Sequence, residues 1–112
     1  MMSRISTSGT RLKTASALKQ EVVRCSEIVK VAPSQLRVQK MTRKWASCST
    51  AGWITLAEDL LNMPRSFQQV VIIHELVHLQ IPNHGKLFKS MMNSLVPGWD
   101  DILREHNNSR NL

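Results

Sequence analysis

Three of the chain's four histidines lie within eleven residues, and a glutamate follows the first of them in the segment His74-Glu75-Leu76-Val77-His78. In a helix, side chains four positions apart leave the same face, so the imidazoles of His74 and His78 can bind one metal ion. Glu75 is turned from them by about 100°. It can therefore stand beside the ion as a base for water that the ion acidifies. The HExxH spacing predicts a zinc site with Glu75 as its catalytic residue.

A third ligand is expected, because a catalytic zinc ion takes three protein ligands and keeps one position open. His84 is the candidate. In an unbroken helix it would lie about 15 Å along the axis from His74, too far away to share an ion. Pro82 breaks the helix, since it has no N–H to donate and its ring would clash with the carbonyl of His78. We therefore expect the chain to fold back and the three histidines to hold Zn²⁺.

The elements that position this motif can be read from hydrophobic periodicity and turn residues. A pattern of Ser66 followed by Gln69 is typical of a capping box and predicts the start of the zinc helix. Alternating residues predict two strands, which we expect to pair as an antiparallel hairpin. The order of helix, strands and helices favours a small α+β domain. The expected helices span residues 12–31, 66–80, 85–95 and 99–106, and the expected strands span 35–40 and 53–56.

The length of 112 residues and the hydrophobic fraction of 42% are enough for one core and too little for two. Residues 1–9 are rich in Ser, Thr and Gly and are expected to be a disordered lead-in, with a single domain over residues 10–112. The longest aliphatic run, Val70 to Ile73, is far shorter than the roughly 20 residues that cross a bilayer. We therefore expect no membrane partner.

The basic excess is confined to the first part of the chain. Residues 1–49 contain ten Lys or Arg against two Glu, whereas residues 50–112 contain five against six acids. Such asymmetry predicts weak contact with nucleic acid or an anionic substrate. A solvated helix face and a basic tail would give the same composition, because no aromatic residues alternate with the basic ones.

Cysteine content indicates the compartment. Two cysteines, Cys25 and Cys48, allow at most one disulfide, and the N-terminus has no apolar block typical of a signal peptide. A reducing, cytoplasmic location is the expectation. Residues 1–20 contain basic and hydroxyl residues without an acid, so an organelle transit peptide is the alternative.

Several segments beyond the HExxH motif form a recognisable pattern: Met41 to Ser49, then Gly52, Ile54, Leu56 and Pro64, then Val70 to Leu79, and finally Asn83-His84 and Phe88. With these segments the chain resembles the YgjP-like zinc metallopeptidases, which are related to SprT-type and minimal gluzincin-like proteins. The resemblance covers about residues 36–105 and implies a zincin-like domain in which a short antiparallel sheet packs on the zinc helix. It also implies His74, His78 and His84 as ligands, Glu75 as base and a peptide or protein as substrate.

The same resemblance suggests that Trp45, Ser47 and Cys48 line the active cleft. As plain structure, Trp45 would instead anchor the core and Cys48 would be a buried thiol. The chain has no tyrosine, so the candidates to stabilise an oxyanion are Arg43, Lys44, Asn83, His106 and backbone N–H groups. Arg43 and Asn83 are also candidates for the cleft wall. Arg43 and Lys44 could equally be solvated charges at a strand end.

The expected function is a zinc-dependent hydrolase, with peptide-bond cleavage preferred. One alternative is a zinc-dependent nucleotide hydrolase that attracts phosphoanhydrides through its basic half. A second is a zinc-stabilised module that binds nucleic acid without turnover, which would need Cys48 as a fourth ligand, since structural zinc sites fill all four positions.

Overall fold

A computed structural model describes residues 11–108 and residue 110 of the chain. The predicted α+β class is confirmed: these residues form four α-helices and a three-stranded sheet. The lead-in predicted for residues 1–9 lies outside the described residues. The elements are α1 (Ala15–Val29), β1 (Gln35–Gln39), β2 (Ala46–Cys48), β3 (Trp53–Ala57), a 3-10 turn (Glu58–Asn62), α2 (Arg65–Gln80), α3 (Lys86–Leu95) and α4 (Trp99–His106).

The sheet has the strand order β1-β3-β2, and its pairing differs from the expected hairpin. Strands β1 and β3 pair in parallel, with Gln35 opposite Trp53, so the predicted antiparallel pairing of residues 35–40 with 53–56 is wrong. The antiparallel partner of β3 is β2, which has only three residues. A strand this short shows no alternation, so sequence reasoning missed it. Because β2 reverses the chain between β1 and β3, those two strands run in the same direction.

A tight turn joins β2 to β3 and fixes the position of β2. The N–H of Gly52 donates to the carbonyl of Ser49 at 3.0 Å, and the Ser49 N–H donates to the Trp53 carbonyl at 2.9 Å. Gly52 has a φ of +86°, which a residue with a side chain rarely adopts, and an added Cβ would lie 3.2 Å from Ser34 Oγ. The turn therefore depends on glycine at this position.

Helix α2 lies at the centre of the fold, and every residue from Phe67 to Val77 is buried. It contacts the other three helices and β2. The predicted capping box is wrong, because α2 follows Pro64 without a side-chain cap. Gln69 is buried instead and donates to Glu21 of α1 at 2.9 Å. No helix in the described part of the chain is both long and apolar enough to cross a membrane.

A buried ion pair ties α1 to α2. Glu21 is 4% exposed, and its carboxylate accepts hydrogen bonds from Arg24, Arg65 and Gln69. Burial alone would raise the pKa of Glu21. The hydrogen bonds from Arg24 and Gln69 and the charges of both arginines outweigh this effect and hold the pKa below its ordinary value of 4.5. The carboxylate is therefore ionised wherever the protein is folded near neutral pH.

This tie predicts a loss of stability in acid. Because the folded-state pKa of Glu21 is lowered, its contribution is present above pH 4.5 and is lost as the pH falls through the folded-state value. Glu21→Gln should cost about 2 kcal/mol near neutral pH, since it leaves arginine charge without its carboxylate. It should also remove this part of the acid sensitivity. Urea unfolding at a series of pH values measures both effects, with Glu27→Gln on the exposed face of α1 as the control. Equal loss of stability in acid by Glu21→Gln and wild type would contradict the prediction.

Candidate metal centre

His74 and His78 leave α2 on the same side, as the four-residue spacing predicts. Their ring centroids lie 4.7 Å apart. His74 is only 3% exposed, whereas His78 is half-buried, because α2 emerges from the core toward its C-terminal end. Glu75 is 2% exposed, and its Oε1 lies 3.3 Å from Nδ1 of His74.

The chain folds back directly after α2. The helix ends at Gln80, and Ile81 is extended, with φ −128° and ψ 92°, ahead of Pro82. This break brings His84 back toward α2, where its Nε2 lies 2.6 Å from Nε2 of His78. One donor atom from each of His74, His78 and His84 lies within 4.8 Å of the other two. The structure therefore brings together the three predicted ligands.

Phe88 holds the three imidazoles in place. Its ring, on α3, contacts those of His74, His78 and His84 at centroid distances of 5.1, 4.6 and 4.8 Å. Phe88 is completely buried and also contacts Trp99 of α4 at 6.3 Å. From the sequence it is simply a core aromatic residue. Its place in the first turn of α3, close in sequence to His84, is the signal that could have linked it to the site.

The protonation of His78 and His84 suits metal binding. Nδ1 of His78 lies 3.2 Å from the carbonyl of Ile81, which favours a proton on Nδ1 and leaves the Nε2 lone pair directed toward His84. Burial, reinforced by neighbouring His74, lowers the pKa of both His78 and His84. Neutral imidazoles, the form that binds a metal, are therefore favoured near neutral pH.

A cleft of about 440 Å³ opens beside the histidines, between α2 and strand β2. We call it the strand-side cleft. Ser47 and Cys48 of β2 line it together with Glu75 and His78, as do Lys44 and the β2–β3 turn. Burial and the nearby charge of Glu75 raise the pKa of Cys48. Among the described residues, Cys48 is not part of the metal-binding group.

Trp45, Arg43 and Asn83 do not line this cleft. Trp45 is buried, packs edge-on against Phe67 at 5.2 Å and donates from Nε1 to the carbonyl of Asn107 at 2.8 Å. It therefore anchors the core against the C-terminal segment. Arg43 and Asn83 are exposed. Sequence reasoning gave Leu79 and Pro82 no place in the cleft, although both line it.

A second cleft, of about 400 Å³, is lined by residues of α2, α3 and α4, and we call it the helix-side cleft. His74 and His84 form part of its wall, whereas His78 belongs to the strand-side cleft. The histidine cluster therefore borders both clefts. The remaining lining residues are Phe88, Lys89, Trp99, Leu103, Asn107 and Arg110.

Comparison with known proteins assigns a family to this arrangement. The profile of a family described as YgjP-like, metallopeptidase domain, matches residues 5–108. The chain belongs to this YgjP-like family. Membership means that the chain is a metallohydrolase of the metallopeptidase class, and it implies a metal ion and a peptide or protein substrate. The histidine group is where the YgjP-like domain can bind that metal.

Solved structures share the fold of this YgjP-like domain. The metallopeptidase zymogen abylysin of Pyrococcus abyssi is 22% identical, covers 85% of this chain and 98% of its own, and has a TM-score of 0.74. The metallopeptidase zymogen jannalysin of Methanocaldococcus jannaschii is 23% identical, covers 79% of this chain and 91% of its own, and has a TM-score of 0.70. A search of curated proteins gave no match.

The cluster geometry predicts that His84 is needed for metal affinity. His84→Ala should weaken Zn²⁺ binding by more than about 100-fold, because loss of even an outer-shell partner costs about 10–100-fold. Competition with a chromophoric chelator measures the affinity. His106→Ala is the matched control, because His106 contacts Phe67 and is not part of the cluster. Wild-type affinity in His84→Ala would exclude His84 as a ligand.

Proposed function

We propose that this chain is a zinc-dependent peptidase in which His74, His78 and His84 hold the ion and Glu75 is the general base. One observation carries the proposal. Three imidazole donor atoms lie within 4.8 Å of one another, and the buried carboxylate of Glu75 lines an open cleft beside them. The imidazoles supply ligands for the ion, and the carboxylate supplies the base.

The donor set fits zinc. Imidazole nitrogen is a preferred zinc ligand, and three protein ligands with one open position are typical of catalytic sites. A structural site would need a fourth protein ligand. Cys48, the residue that a zinc-stabilised nucleic-acid module would require for this purpose, is not among the grouped donors in the described part of the chain. The donor set therefore supports the catalytic alternative.

When bound at the three histidines, zinc supplies a Lewis acid that acidifies water and polarises a carbonyl. Glu75 supplies the proton transfer. Its carboxylate belongs to the wall of the strand-side cleft, so it can accept a proton from attacking water there and return it to the leaving amine. The contact of Oε1 with His74 at 3.3 Å limits the rotation of the carboxylate. His78 is oriented by the carbonyl of Ile81.

Strand β2 supports an extended peptide as the substrate. It is an edge strand, and within the described residues only β3 pairs with it. Ser47 and Cys48 of this strand line the same cleft as Glu75. A peptide that adds to a sheet edge gains main-chain hydrogen bonds and presents its carbonyl groups in a fixed register. Such binding would hold a scissile carbonyl beside the histidines.

Glu75→Gln tests the base. We expect this variant to keep its zinc, since the three ligands are intact, and to lose about 10²–10⁴-fold in turnover, the usual contribution of a positioned acid–base group. Zinc content and hydrolysis of casein or a fluorogenic peptide are measured on the same preparation. Glu105→Gln on the exposed face of α4 is the control. Undiminished turnover by the zinc-loaded Glu75→Gln variant would overturn the role of Glu75.

The same preparation should be offered nucleoside triphosphates. We expect peptide cleavage and no zinc-dependent release of phosphate. Phosphate release without peptide cleavage, abolished by Glu75→Gln, would replace the peptidase proposal by the nucleotide hydrolase. The cytoplasmic location and the weak contact with nucleic acid expected from the sequence stay predictions.

A further inference from the structure

Each of the two clefts beside the histidines has one lysine in its wall. In the strand-side cleft, the charged lining residues are Lys44 and Glu75. In the helix-side cleft, they are Lys89 and Arg110, and no acidic residue lines it. Glu75 is 2% exposed, whereas Lys44 is an exposed residue. Lys44 and Lys89 are therefore the exposed charged residues of the two walls.

The positive charge of the two clefts comes chiefly from the lysines. Arg110 is compensated, because its guanidinium forms two hydrogen bonds with the carboxylate of Asp59, one of them 2.9 Å long, and lies over the ring of Trp45. By contrast, neither Lys44 nor Lys89 is in an ion pair with any residue that the structure describes. Each lysine is therefore available to a carboxylate supplied by a ligand.

Both lysines lie close to the reacting centre. Lys44 shares the strand-side cleft with Glu75 and His78. Lys89 shares the helix-side cleft with His74 and His84, and its charge contributes to the lowered pKa of His84 after burial and the charge of His74. The histidine cluster borders both clefts, so a peptide held at the histidines has one cleft next to His78 and the other next to His74 and His84. Cleft walls focus the field of such charges.

We propose that Lys44 and Lys89 are specificity-determining residues that select peptides with acidic side chains on both sides of the scissile bond. The inference rests on the proposed peptidase function and adds the class of substrate. Each lysine would pair with a glutamate or aspartate side chain of the peptide. A solvent-accessible pair of this kind corresponds to a preference of about two- to fivefold at each cleft.

The test uses fluorogenic peptides that differ only by Glu, Gln or Lys at one position on either side of the cleaved bond. Wild type should cleave the Glu peptides with a kcat/KM about two- to fivefold above that of the Gln peptides. This preference should shrink in high salt, because accessible charges are screened. Lys44→Glu should reverse the preference from Glu to Lys on one side, and Lys89→Glu should reverse it on the other. Lys44→Arg should keep the preference for Glu.

Lys19→Glu is the matched control, because it changes the net charge equally from an exposed position on α1. It should leave the ratio of kcat/KM between Glu and Gln peptides unchanged. An equal shift by Lys19→Glu and Lys44→Glu would assign the preference to net charge and overturn the proposal. Zinc content and circular dichroism of each variant identify any loss of metal or fold.

Failure of this inference differs from failure of the proposed function. If wild type cleaves the peptides but treats Glu and Gln alike, or if neither reversal changes the ratio, the lysines are not specificity determinants and the peptidase assignment stands. If zinc-loaded wild type cleaves none of the peptides and no casein, the proposed function itself fails, and this inference fails with it.

Discussion

Burial of α2 on all sides is the constraint on which the metal centre depends. Eleven consecutive residues, Phe67 to Val77, are removed from solvent by the other helices and β2. A helix packed in this way can neither rotate nor slide without opening voids in the core. The direction in which His74 and His78 leave the helix is therefore fixed by packing against groups that take no part in the chemistry. Glu75 inherits the same rigidity.

The third histidine depends on a different kind of contact. Helix α2 ends ahead of Pro82, and this allows the chain to turn back so that His84 approaches α2. The end of the helix does not by itself determine where His84 goes. Direction comes from Phe88, whose ring contacts all three imidazoles and reaches Trp99. The first turns of α3 and α4 are thereby coupled to the ligand geometry. The centre therefore consists of two histidines fixed on α2 and a third, His84, whose ring packs against buried Phe88.

Much of this could be predicted from local rules. The bounds of the central helix and the return of His84 follow from periodicity, Pro82 and the spacing of the motif. The wrong predictions concern residues whose role depends on a partner that is distant in the sequence. Gln69 has the sequence position of a capping residue, yet it bonds to Glu21 on another helix. The three residues of β2 are too few to show a period, and without β2 the parallel pairing of β1 with β3 cannot be anticipated.

The cleft was predicted less well than the ligands for the same reason. Ser47 and Cys48 reach it because β2 lies beside α2, whereas adjacent Trp45 is buried and contacts Phe67. Whether a side chain in this segment enters the core or lines the cleft depends on where β2 begins and on which way its residues point. Sequence spacing gives no such direction when the strand itself is not recognised.

The mixed sheet also sets an order in which the molecule can assemble. The β2–β3 hairpin closes through a short turn at Gly52, so little chain entropy is lost when it forms. The contact between β1 and β3 encloses that hairpin and the segment before it, as the pairing of Gln35 with Trp53 shows. Since closure of the longer loop is slower, β1 should join a hairpin that already exists. The wall of the strand-side cleft would thus be among the earliest parts of the sheet to form during folding.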